Sequence, residues 1–544
     1  MTLPRRLIDA FISACGAHPL AAAAVTLALV VRLASWVITD RVWEDALITL
    51  THVRNVREGI GLTHHAGEGL VHGFTSALSV LIPLAGEAVV PESGLTMMRL
   101  ASLVSGAAAV LAGYLIARRL NLATWATAFV LVYLAVNQNQ VFFGMAGMET
   151  QVATALLLAG AVAVMGRHER LAGLLAGLCV LARPDLVLWA GLVLIWAGRR
   201  GARSLARVAV PAVAVIAPWV IFTYFYYGSP VPQTIVAKNL VYNTLPESIA
   251  PAIAWLEWLS ERVPLALGAV LRTFMPFYED GNVVGAPVEA GALAVIGIAM
   301  VGLAILGVVR SAGSADWWPA LVYSAGFLLY WVALLPLGYF GWYQPPFMAI
   351  CAVLVGVGLD RLRTFSRFAP AVVSTALTLA VAVHLPFSIP LDAQVQREVE
   401  YGIRRTAGRH LAEAVAPGDA VVAEAAGYFG YYGRVTLWDF PGLTSPTALA
   451  AVRAMPRSER GVTALVDALR APWVVLRPLE WRHLQRQYPD AARCYELERT
   501  FGVEGDLVVE LNGLARWNQD GSFMVMHRRE SCRAPVGLST VSPP

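Results

Sequence analysis

The chain has 544 residues, of which 57% are hydrophobic and 14% are charged, with a formal net charge of +4 and a mean hydropathy of +0.60. Soluble domains carry about 25% charged residues, so this composition excludes an entirely water-soluble protein and indicates that most of the chain lies in lipid. The sequence contains no Walker loop, dinucleotide fingerprint or zinc-ligand spacing, and nothing in it points to a nucleic-acid partner.

Arginine clusters separate the apolar runs along the chain. Cytoplasmic loops are enriched in Lys and Arg, so each cluster is assigned to the cytoplasmic side. The clusters and the apolar runs beside them are Arg5–Arg6 before 20–38, Arg118–Arg119 after 95–117, Arg167 and Arg170 after 150–166, Arg199 to Arg207 after 171–198, Arg310 after 287–309, and Arg361 to Arg367 after 346–359. With a last span at about 369–387, the pattern predicts about eleven transmembrane helices, the N-terminus inside and the C-terminus outside.

Two apolar segments do not fit a simple span. Residues 171–182 and 185–198 are each shorter than the roughly 20 residues that a span needs. Both flanks of this segment are basic, so the chain must enter the membrane and return to the same side. Two short helices or a re-entrant hairpin around Arg183-Pro184-Asp185 would both do so.

A span at about 77–90 would place the arginine clusters before and after it on opposite sides of the membrane. This run is therefore predicted to be a helix on the outer surface of the membrane. The first apolar run lacks a small-residue cleavage site, which indicates an uncleaved anchor.

The composition changes at about residue 388, where charge rises and short β-rich stretches begin. The predicted strands lie at Ala420–Ala425, Val435–Phe440 and Trp473–Arg477. We therefore expect a transmembrane domain over 1–387 and a periplasmic soluble α/β domain over 388–544. Cys494 and Cys532 both fall in the outer domain, and an oxidising compartment favours a disulfide between them, with a free pair as the alternative.

The polar residues that suggest chemistry all fall on the predicted outer face. Arginine supplies 40 of the 41 basic residues, and the single lysine is Lys238, a compact ammonium that arginine cannot replace. The other members of this set are Glu44, Asp45, Glu68, His72, Glu149, Arg183, Asp185, Arg272, Tyr343 and Gln344. Their shared location predicts one extracytoplasmic site at the membrane surface.

Each of these residues also has a plain structural interpretation. Lys238 could snorkel at the lipid interface, and Glu44 and Asp45 could be solvated loop acids. Glu149 could stabilise a helix N-terminus, and Arg183 and Asp185 could form a structural ion pair, although an arginine inside an apolar stretch is costly. For His64, His65 and His72 no metal-ligand spacing is present, so they are expected to be solvated. The aromatic residues at 339–343 are also typical of an interfacial belt.

The set suits transfer from a lipid-linked phosphate. A carboxylate can act as a general base toward a hydroxyl, and cations can hold a departing phosphate, lysine as a point charge and arginine as a fork. A long apolar tail on that phosphate would explain a site at the lipid boundary. Because nucleotide sugars are not available outside the cytoplasm, a polyprenyl-phosphate sugar is the donor that fits.

At these residues the chain resembles integral-membrane glycosyltransferases of the C superfamily (GT-C), in particular the branch with the mycobacterial terminal arabinofuranosyltransferase. The matching stretches are 43–49 with Arg54-Asn55, Gly67-Glu68, Thr75-Ser76, Gly147–Thr150, Arg183–Asp185, 226–238, 427–433 and 439–444. Each is weak alone, and their order and spacing over most of the chain make the resemblance specific.

The resemblance implies an all-α polytopic bundle with surface helices in the first outer loop and a C-terminal periplasmic α/β domain. It implies a decaprenyl- or undecaprenyl-phosphate donor and an acceptor outside the cytoplasm. By position, Asp45 or Glu44 becomes the catalytic base, and either could hold a divalent cation (Mg, Mn or Ca). Lys238, Arg183 and Arg272 become candidates for the donor phosphate, and Glu68, His72, Glu149, Asp185, Tyr343 and Gln344 for substrate binding.

The chain departs from the arabinosyl pattern in three places. The acidic pair is Glu44-Asp45 where Asp-Asp is expected, residues 67–72 lack one basic and one acidic residue of that loop, and 339–344 are aromatic where a Gly/Asp-rich stretch is expected. The resemblance favours arabinofuranose as the sugar, and these three departures leave a hexose or another pentose open.

The sequence predicts an inverting glycosyltransferase of the bacterial inner membrane with a periplasmic site, acting on a glycan, glycolipid or protein. The alternatives are a flippase or transporter of a lipid-linked glycan and a non-catalytic assembly protein. Transporters tend to carry internal repeats and broken helices that meet at mid-membrane, and the sequence shows neither.

Overall fold

The computed structural model describes residues 18–243, 256, 258–261, 263–264, 274, 290–334, 340–364, 366, 368–383, 385–502 and 521–532. Arg272 lies outside these residues, so its predicted phosphate contact has no structural account. The chain divides into two compact units. The helical unit comprises Met1–Ala46, Thr75–Pro230 and Tyr242–Gln396, and the sheet unit comprises Leu47–Phe74, Val231–Val241 and Arg397–Pro544.

Helices account for most of the chain up to residue 395. In chain order they are α1 (Pro19–Thr39), α2 (Glu44–Arg57), α3 (Ala77–Glu87), α4 (Gly94–Arg119), α5 (Thr124–Val136), α6 (Gln138–Met145), α7 (Thr150–Met165), α8 (Glu169–Ala182), α9 (Val187–Gly198), α10 (Ala202–Tyr227), α11 (Gln233–Tyr242), α12 (Ala290–Ser311), α13 (Trp318–Leu334), α14 (Pro345–Arg361), α15 (Ala369–Ala382) and α16 (Leu385–Val395).

Six helical segments of the described chain are long and apolar enough to cross a membrane. They are Pro19–Thr39, Gly94–Arg119, Thr124–Met145, Ala202–Tyr227, Pro345–Thr364 and Ala369–Ala414. The predicted apolar runs therefore form helices, but the count of eleven spans is not confirmed. The run at 77–90 also forms a helix, α3, and its position on the outer surface stays a prediction.

The short apolar run between two arginine clusters forms two helices joined by a turn at Arg183–Asp185. Helices α8 and α9 have 14 and 12 residues. At 1.5 Å per residue they are roughly 21 and 18 Å long, less than the roughly 30 Å thickness of a hydrocarbon core. Each of the two helices is therefore too short to cross a hydrocarbon core alone.

Small residues let helices of this unit approach closely. A side chain at Gly173 or Gly177 would collide with the backbone of α10, at Val208 and Ala212 respectively. The two glycines are four residues apart on α8 and therefore lie on one face of the helix. This is the small-residue spacing with which helices pack in lipid, where hydrophobic burial adds no driving force.

Arg32, in the middle of the apolar helix α1, is fully buried. Its Nη1 donates to the Ala135 carbonyl at 2.7 Å, and its Nη2 donates to the Leu134 carbonyl at 3.1 Å and to Gln151 Oε1 at 2.8 Å. Leu134 and Ala135 lie in the last turn of α5, where carbonyls have no intrahelical donor and the helix dipole favours a cation. Arg32 thus stabilises the point at which one long apolar helix breaks into α5 and α6.

The sheet unit contains a five-stranded sheet of order β2-β1-β3-β5-β4, with β1 parallel to β2 and β3, and β5 antiparallel to β3 and β4. After a π-helical segment at Gln396–Arg405, its elements are α17 (Thr406–Ala414), β1 (Ala420–Ala423), α18 (Ala426–Gly433), β2 (Thr436–Asp439), α19 (Pro446–Ala454), α20 (Val462–Leu469), β3 (Trp473–Leu476), α21 (Pro478–Gln487), α22 (Pro489–Ala492), β4 (Tyr495–Gly502) and β5 (Ser522–Arg528). The predicted strands at 420, 435 and 473 are confirmed within one or two residues.

Both faces of the sheet are covered by helices. Val421 packs into a cluster with Leu411 and Phe429, and the next residue of β1, Val422, packs into a second cluster with Leu465. Successive side chains of a strand point to opposite faces, so this alternation requires a three-layer α/β arrangement. A disulfide joins Cys494 to Cys532 within the unit.

Two earlier segments of the chain, Leu47–Phe74 and Val231–Val241, belong to the sheet unit by their contacts. The predicted boundary at 387/388 was based on the change of composition along the chain. Composition does not reveal that segments distant in sequence pack into the same unit. The division into domains 1–387 and 388–544 stays a prediction.

Gly106 tests the packing around Arg32. A side-chain carbon at Gly106 would lie 2.7 Å from Arg32 Cδ. We expect Gly106→Ala to lower the free energy of unfolding by about 1–3 kcal/mol because overpacking would displace the guanidinium from its carbonyls. The measurement is thermal unfolding of the purified protein in detergent.

Gly302→Ala is the matched control, since an added carbon at this position of α12 meets no atom within 4 Å. Alanine favours a helix over glycine by about 0.5–1 kcal/mol, so the control should be neutral or stabilising. Equal unfolding temperatures for the two variants would contradict the packing described for Arg32.

Candidate functional site

The predicted acidic pair forms the first turn of α2, where negative charge is favoured by the helix dipole. Glu44 and Asp45 are both partly buried. The preceding residue, Trp43, donates its backbone N–H to the Ala146 carbonyl at 2.9 Å. Its ring packs against Phe142, Phe143 and Trp342 with centroids 5.5–5.6 Å apart. The acids are therefore carried by a rigid aromatic platform and not by a solvated loop.

Arg99 of α4 holds the backbone just before the acidic pair. Its side chain is buried and donates from Nη2 to the Arg41 carbonyl at 2.8 Å and from Nε to the Met145 carbonyl at 3.0 Å. Its Nη1 pairs with Asp40 Oδ1 at 2.8 Å. One guanidinium thus joins the end of α1, the end of α6 and the approach to α2, which orients Glu44 and Asp45.

Arg183 is the centre of a buried ionic cluster. Its Nε pairs with Asp185 Oδ1 at 3.1 Å, and its Nη1 pairs with Glu149 Oε1 at 3.2 Å and donates to the Trp342 carbonyl at 3.2 Å. The guanidinium carbon lies 4.2 Å from the centre of the Tyr343 ring. Arg183 is 3% exposed, so these contacts replace water almost completely. The predicted ion pair of Arg183 with Asp185 is present, and Glu149 is a second partner.

Asp45 of the acidic pair lies near the same cluster. Asp45 interacts electrostatically with both Glu149 and Tyr343. Among the described residues, Asp45, Glu149 and Asp185 place three carboxylates around the Arg183 guanidinium. A carboxylate there can accept a proton or bind a cation. The cluster is less suited to hold a phosphate through Arg183 alone, since that guanidinium is already shared by two carboxylates.

Glu149, Tyr343 and Gln344 occupy element ends around Arg183. Glu149 is the N-cap residue of α7, and Gln344 is the N-cap residue of α14. Tyr343 ends the short 3₁₀ turn between Gly341 and α14. All three are buried. Because these residues lie at the ends of neighbouring helices, their polar groups can meet at one end of the helices, and Glu149 and Tyr343 both contact Arg183.

A divalent cation at Glu44 and Asp45 stays a prediction. Within the described ranges, no group of three or more His, Cys, Asp or Glu side chains is placed to hold a metal ion. The two adjacent acids could supply two oxygen ligands of the type that Mg²⁺ prefers, with the remainder from water or substrate.

Lys238, Glu68 and His72 belong to the sheet unit. Lys238 lies on α11, whose first residue, Gln233, donates from its backbone to the His72 carbonyl at 3.0 Å and from its side chain to the Gly442 carbonyl at 2.9 Å. At the other end of α11, Arg460 Nη1 donates to the Leu240 carbonyl at 2.8 Å. The single lysine is therefore on a helix fixed at both ends, and it is partly buried.

Glu68 stabilises a helix N-terminus within the sheet unit. Its Oε1 accepts from the Thr447 N–H at 3.0 Å in the first turn of α19. Its Oε2 lies 3.5 Å from His65 Nε2. These contacts give Glu68 a structural role, and its predicted part in substrate binding stays a prediction.

The expectation of solvated histidines is wrong. His52, His64, His65 and His72 are all buried and pack in a continuous ring cluster with Phe74, with centroid distances of 4.7–5.7 Å. Loss of hydration on burial lowers the pKa of His52 to about 4 and that of His72 to about 3. The cluster is therefore neutral near pH 7. Its burial depends on packing against segments distant in the chain, which local polarity does not indicate.

Sequence reasoning missed Arg32 and Arg99. Both lie inside apolar helices, at 0% and 4% exposure. The usable signal was an ionisable residue within a predicted span, which commonly marks a functional or architectural site. Their partners are mostly backbone carbonyls, and no sequence motif encodes such partners.

The comparisons with known proteins concern the domain and the fold. A family model described as a domain of unknown function, DUF8728, matches residues 391–523. No curated protein sequence matches the chain significantly. ArnT from Cupriavidus metallidurans in the apo state matches 96% of this chain and 100% of its own, at 13% identity and a TM-score of 0.56. The fold is ArnT-like.

Two further structures were compared. ArnT from the same organism bound to undecaprenyl phosphate matches 94% of this chain and 99% of its own, at 12% identity and a TM-score of 0.53. The apo oligosaccharyltransferase of Archaeoglobus fulgidus matches 84% of this chain and 69% of its own, at 12% identity. Its TM-score is 0.44. The ArnT-like fold confirms the predicted combination of an apolar helical bundle with a C-terminal α/β sheet.

Removing the central guanidinium should destabilise the helical unit. We expect Arg183→Met to lower the free energy of unfolding by about 3–5 kcal/mol, because Glu149 and Asp185 would stay buried without their partner. Arg493→Met is the control, since Arg493 pairs with Asp490 at the surface and exposed pairs contribute about 0–1 kcal/mol. Unfolding in detergent followed by tryptophan fluorescence measures both. Equal stability of the two variants would show that the cluster is not a buried ionic network.

The histidine cluster should make the sheet unit sensitive to acid. Because the folded pKa values of His52 and His72 lie below the ordinary value near 6.5, the unfolded state binds more protons as the pH falls below 6.5. Each histidine should then cost about 2 kcal/mol of stability at pH 5 relative to pH 7.5. Unfolding at the two pH values measures this loss, and His52→Gln should reduce it.

His483→Gln provides the control for the pH experiment, since His483 is exposed on α21. The control should retain the acid sensitivity of the unmodified chain. Identical unfolding free energies at pH 7.5 and 5 in the unmodified chain would rule out a buried neutral cluster.

Proposed function

We propose that this protein is a GT-C-type membrane glycosyltransferase that moves a sugar from a polyprenyl-phosphate donor to a hydroxyl of an extracytoplasmic acceptor. The observation that carries the proposal is the meeting of Asp45 with the Glu149–Arg183–Asp185 cluster and Tyr343 inside an ArnT-like fold. This arrangement supplies a carboxylate base held in place by buried neighbours.

The donor class is supported by the comparison with ArnT. The C. metallidurans protein has been crystallised with undecaprenyl phosphate, and the fold of this chain matches that complex over 94% of its length. A polyprenyl phosphate is also the leaving group that the sequence predicts. Among candidate sugars, arabinofuranose is favoured by the resemblance of the motifs at 43–49 and 439–444, and hexoses remain alternatives.

In the proposed reaction, Asp45 accepts the proton of an acceptor hydroxyl, and the hydroxyl oxygen attacks the anomeric carbon of the donor sugar. The bond from that carbon to the phosphate oxygen breaks, and the polyprenyl phosphate leaves with the electron pair. Attack opposite to the leaving group inverts the anomeric configuration. Glu44 is the alternative base, and a divalent cation on Glu44 and Asp45 would stabilise the negative charge that develops on the phosphate.

The structure gives the supporting residues distinct environments. Arg183 is held by Glu149 and Asp185, so its main contribution is to fix those carboxylates near Asp45, with phosphate contact as a further proposed role. Lys238 and Arg272 are the other proposed phosphate ligands. Glu68, His72, Glu149, Asp185, Tyr343 and Gln344 are the proposed substrate contacts. The location proposed for the site is the periplasmic side of a bacterial inner membrane.

Donor cleavage tests the proposal directly. We expect purified protein to release prenyl phosphate from one of three short-chain donors, carrying arabinofuranose, mannose or glucose, when an acceptor is present. Asp45→Asn should lower kcat by at least about 100-fold, since general-base catalysis contributes about 10²–10⁴-fold. Assays with and without a divalent cation test the metal proposal.

Asp490→Asn serves as the matched control, since Asp490 is 82% exposed and pairs only with neighbouring Arg493 among the contacts described. It should retain full activity. Near-normal transfer by Asp45→Asn would shift the role of base to Glu44. Donor binding without any release, in protein shown to be folded, would contradict the glycosyltransferase and favour the flippase.

A further inference from the structure

The two carboxylate oxygens of Asp185 have different surroundings. Its Oδ1 pairs with Arg183, whereas its Oδ2 is buried and has no hydrogen-bond partner within the described part of the chain. The side chain is 5% exposed. A carboxylate oxygen buried without a donor is costly, and native structures rarely keep one without a reason.

Tyr323, on α13, presents a second polar group of this kind. The residue is fully buried, and its hydroxyl has no hydrogen-bond partner among the described residues. Its ring packs against Trp189 of α9 with a centroid distance of 6.1 Å and a T-shaped geometry. Trp189 follows Asp185 by four residues along a continuous helical segment, so the two residues lie on one face of it. The unpartnered carboxylate oxygen and the unpartnered phenol therefore lie on the same side of the turn at Arg183–Asp185.

The two groups favour one kind of ligand. A carboxylate oxygen accepts hydrogen bonds and repels anions, which excludes the donor phosphate. A phenol both donates and accepts. A hydroxyl that donates to Asp185 and bonds to Tyr323 satisfies both, and sugar rings carry hydroxyls on adjacent carbons.

We propose that Asp185 Oδ2 and Tyr323 Oη form a hydroxyl-binding subsite for the sugar ring of the polyprenyl-phosphate donor. The inference rests on the proposed function and adds Tyr323, which the sequence did not indicate, as a residue that determines donor affinity. The acceptor sugar is the other source of such hydroxyls, and the experiment separates the two.

Tyr323→Phe is the informative variant because it deletes only the hydroxyl. Removing a buried hydroxyl that has no partner in the protein should leave the unfolding temperature unchanged or raise it. Loss of the bond to the sugar should raise the Kd for short-chain prenyl-phosphate arabinofuranose by about three- to tenfold. The Kd for short-chain prenyl phosphate, which lacks the sugar, should not change.

Tyr133→Phe is the matched control, since Tyr133 is a buried tyrosine of α5 in the same helical unit. It should leave both dissociation constants unchanged. A donor analogue lacking one ring hydroxyl completes the test. It should bind the unmodified protein more weakly than the full donor, and the Tyr323→Phe variant should no longer discriminate between the two.

Several results would overturn the subsite. The first is an unchanged Kd of Tyr323→Phe for the sugar donor, and the second is an equal rise of its Kd for prenyl phosphate. The third is a lowered unfolding temperature, which would indicate that the hydroxyl has a structural role. A raised KM for the acceptor with unchanged donor binding would overturn the assignment to the donor. Binding is measured without turnover, so a wild-type protein that binds the sugar donor but never transfers it would count against the proposed function and not against the subsite.

Discussion

The burial of guanidinium groups among apolar helices is the constraint on which the helical unit depends. A charged group in such surroundings is stable only when its hydrogen-bonding capacity is met. The two terminal nitrogens of Arg32 donate to the last carbonyls of α5 and to Gln151, and Arg99 donates to the carbonyls of Arg41 and Met145. Arg183 donates to two carboxylates and a carbonyl. Each arginine joins elements that are far apart in sequence, so the three together determine where the helix ends meet.

The same constraint supports the proposed chemistry. Arg99 positions the backbone before Glu44, and the broken helix stabilised by Arg32 places the Ala146 carbonyl that accepts from Trp43. The acidic pair is therefore oriented by groups that do not react. Preorganised carboxylates would need little rearrangement in the proposed reaction when an acceptor hydroxyl arrives. The Oδ2 of Asp185, which has no hydrogen-bond partner among the described residues, is the group that we assign to the sugar.

Much of the fold could be predicted from local sequence. Apolar runs and arginine clusters located α1, α14 and the two short helices around Arg183, because span length and charge are local properties. The first three strands were located by β-rich composition. Long-range packing was not predictable. Nothing near His64 indicated burial, and nothing near Arg32 indicated carbonyl partners about 100 residues away. For the candidate site, the sequence predicted one common site, but the structure was needed to show that Glu149, Asp185 and Tyr343 are the residues that contact Arg183.

Asp45 can act as the base only if the reacting sugar lies beside it. A structure of the protein with a non-cleavable prenyl-phosphonate arabinofuranose tests this requirement most directly. We expect the anomeric carbon to face Asp45, with space for one acceptor hydroxyl within hydrogen-bond reach (about 2.6–3.2 Å) of the carboxylate. A sugar whose anomeric carbon faces away from both Glu44 and Asp45 would contradict the proposed mechanism.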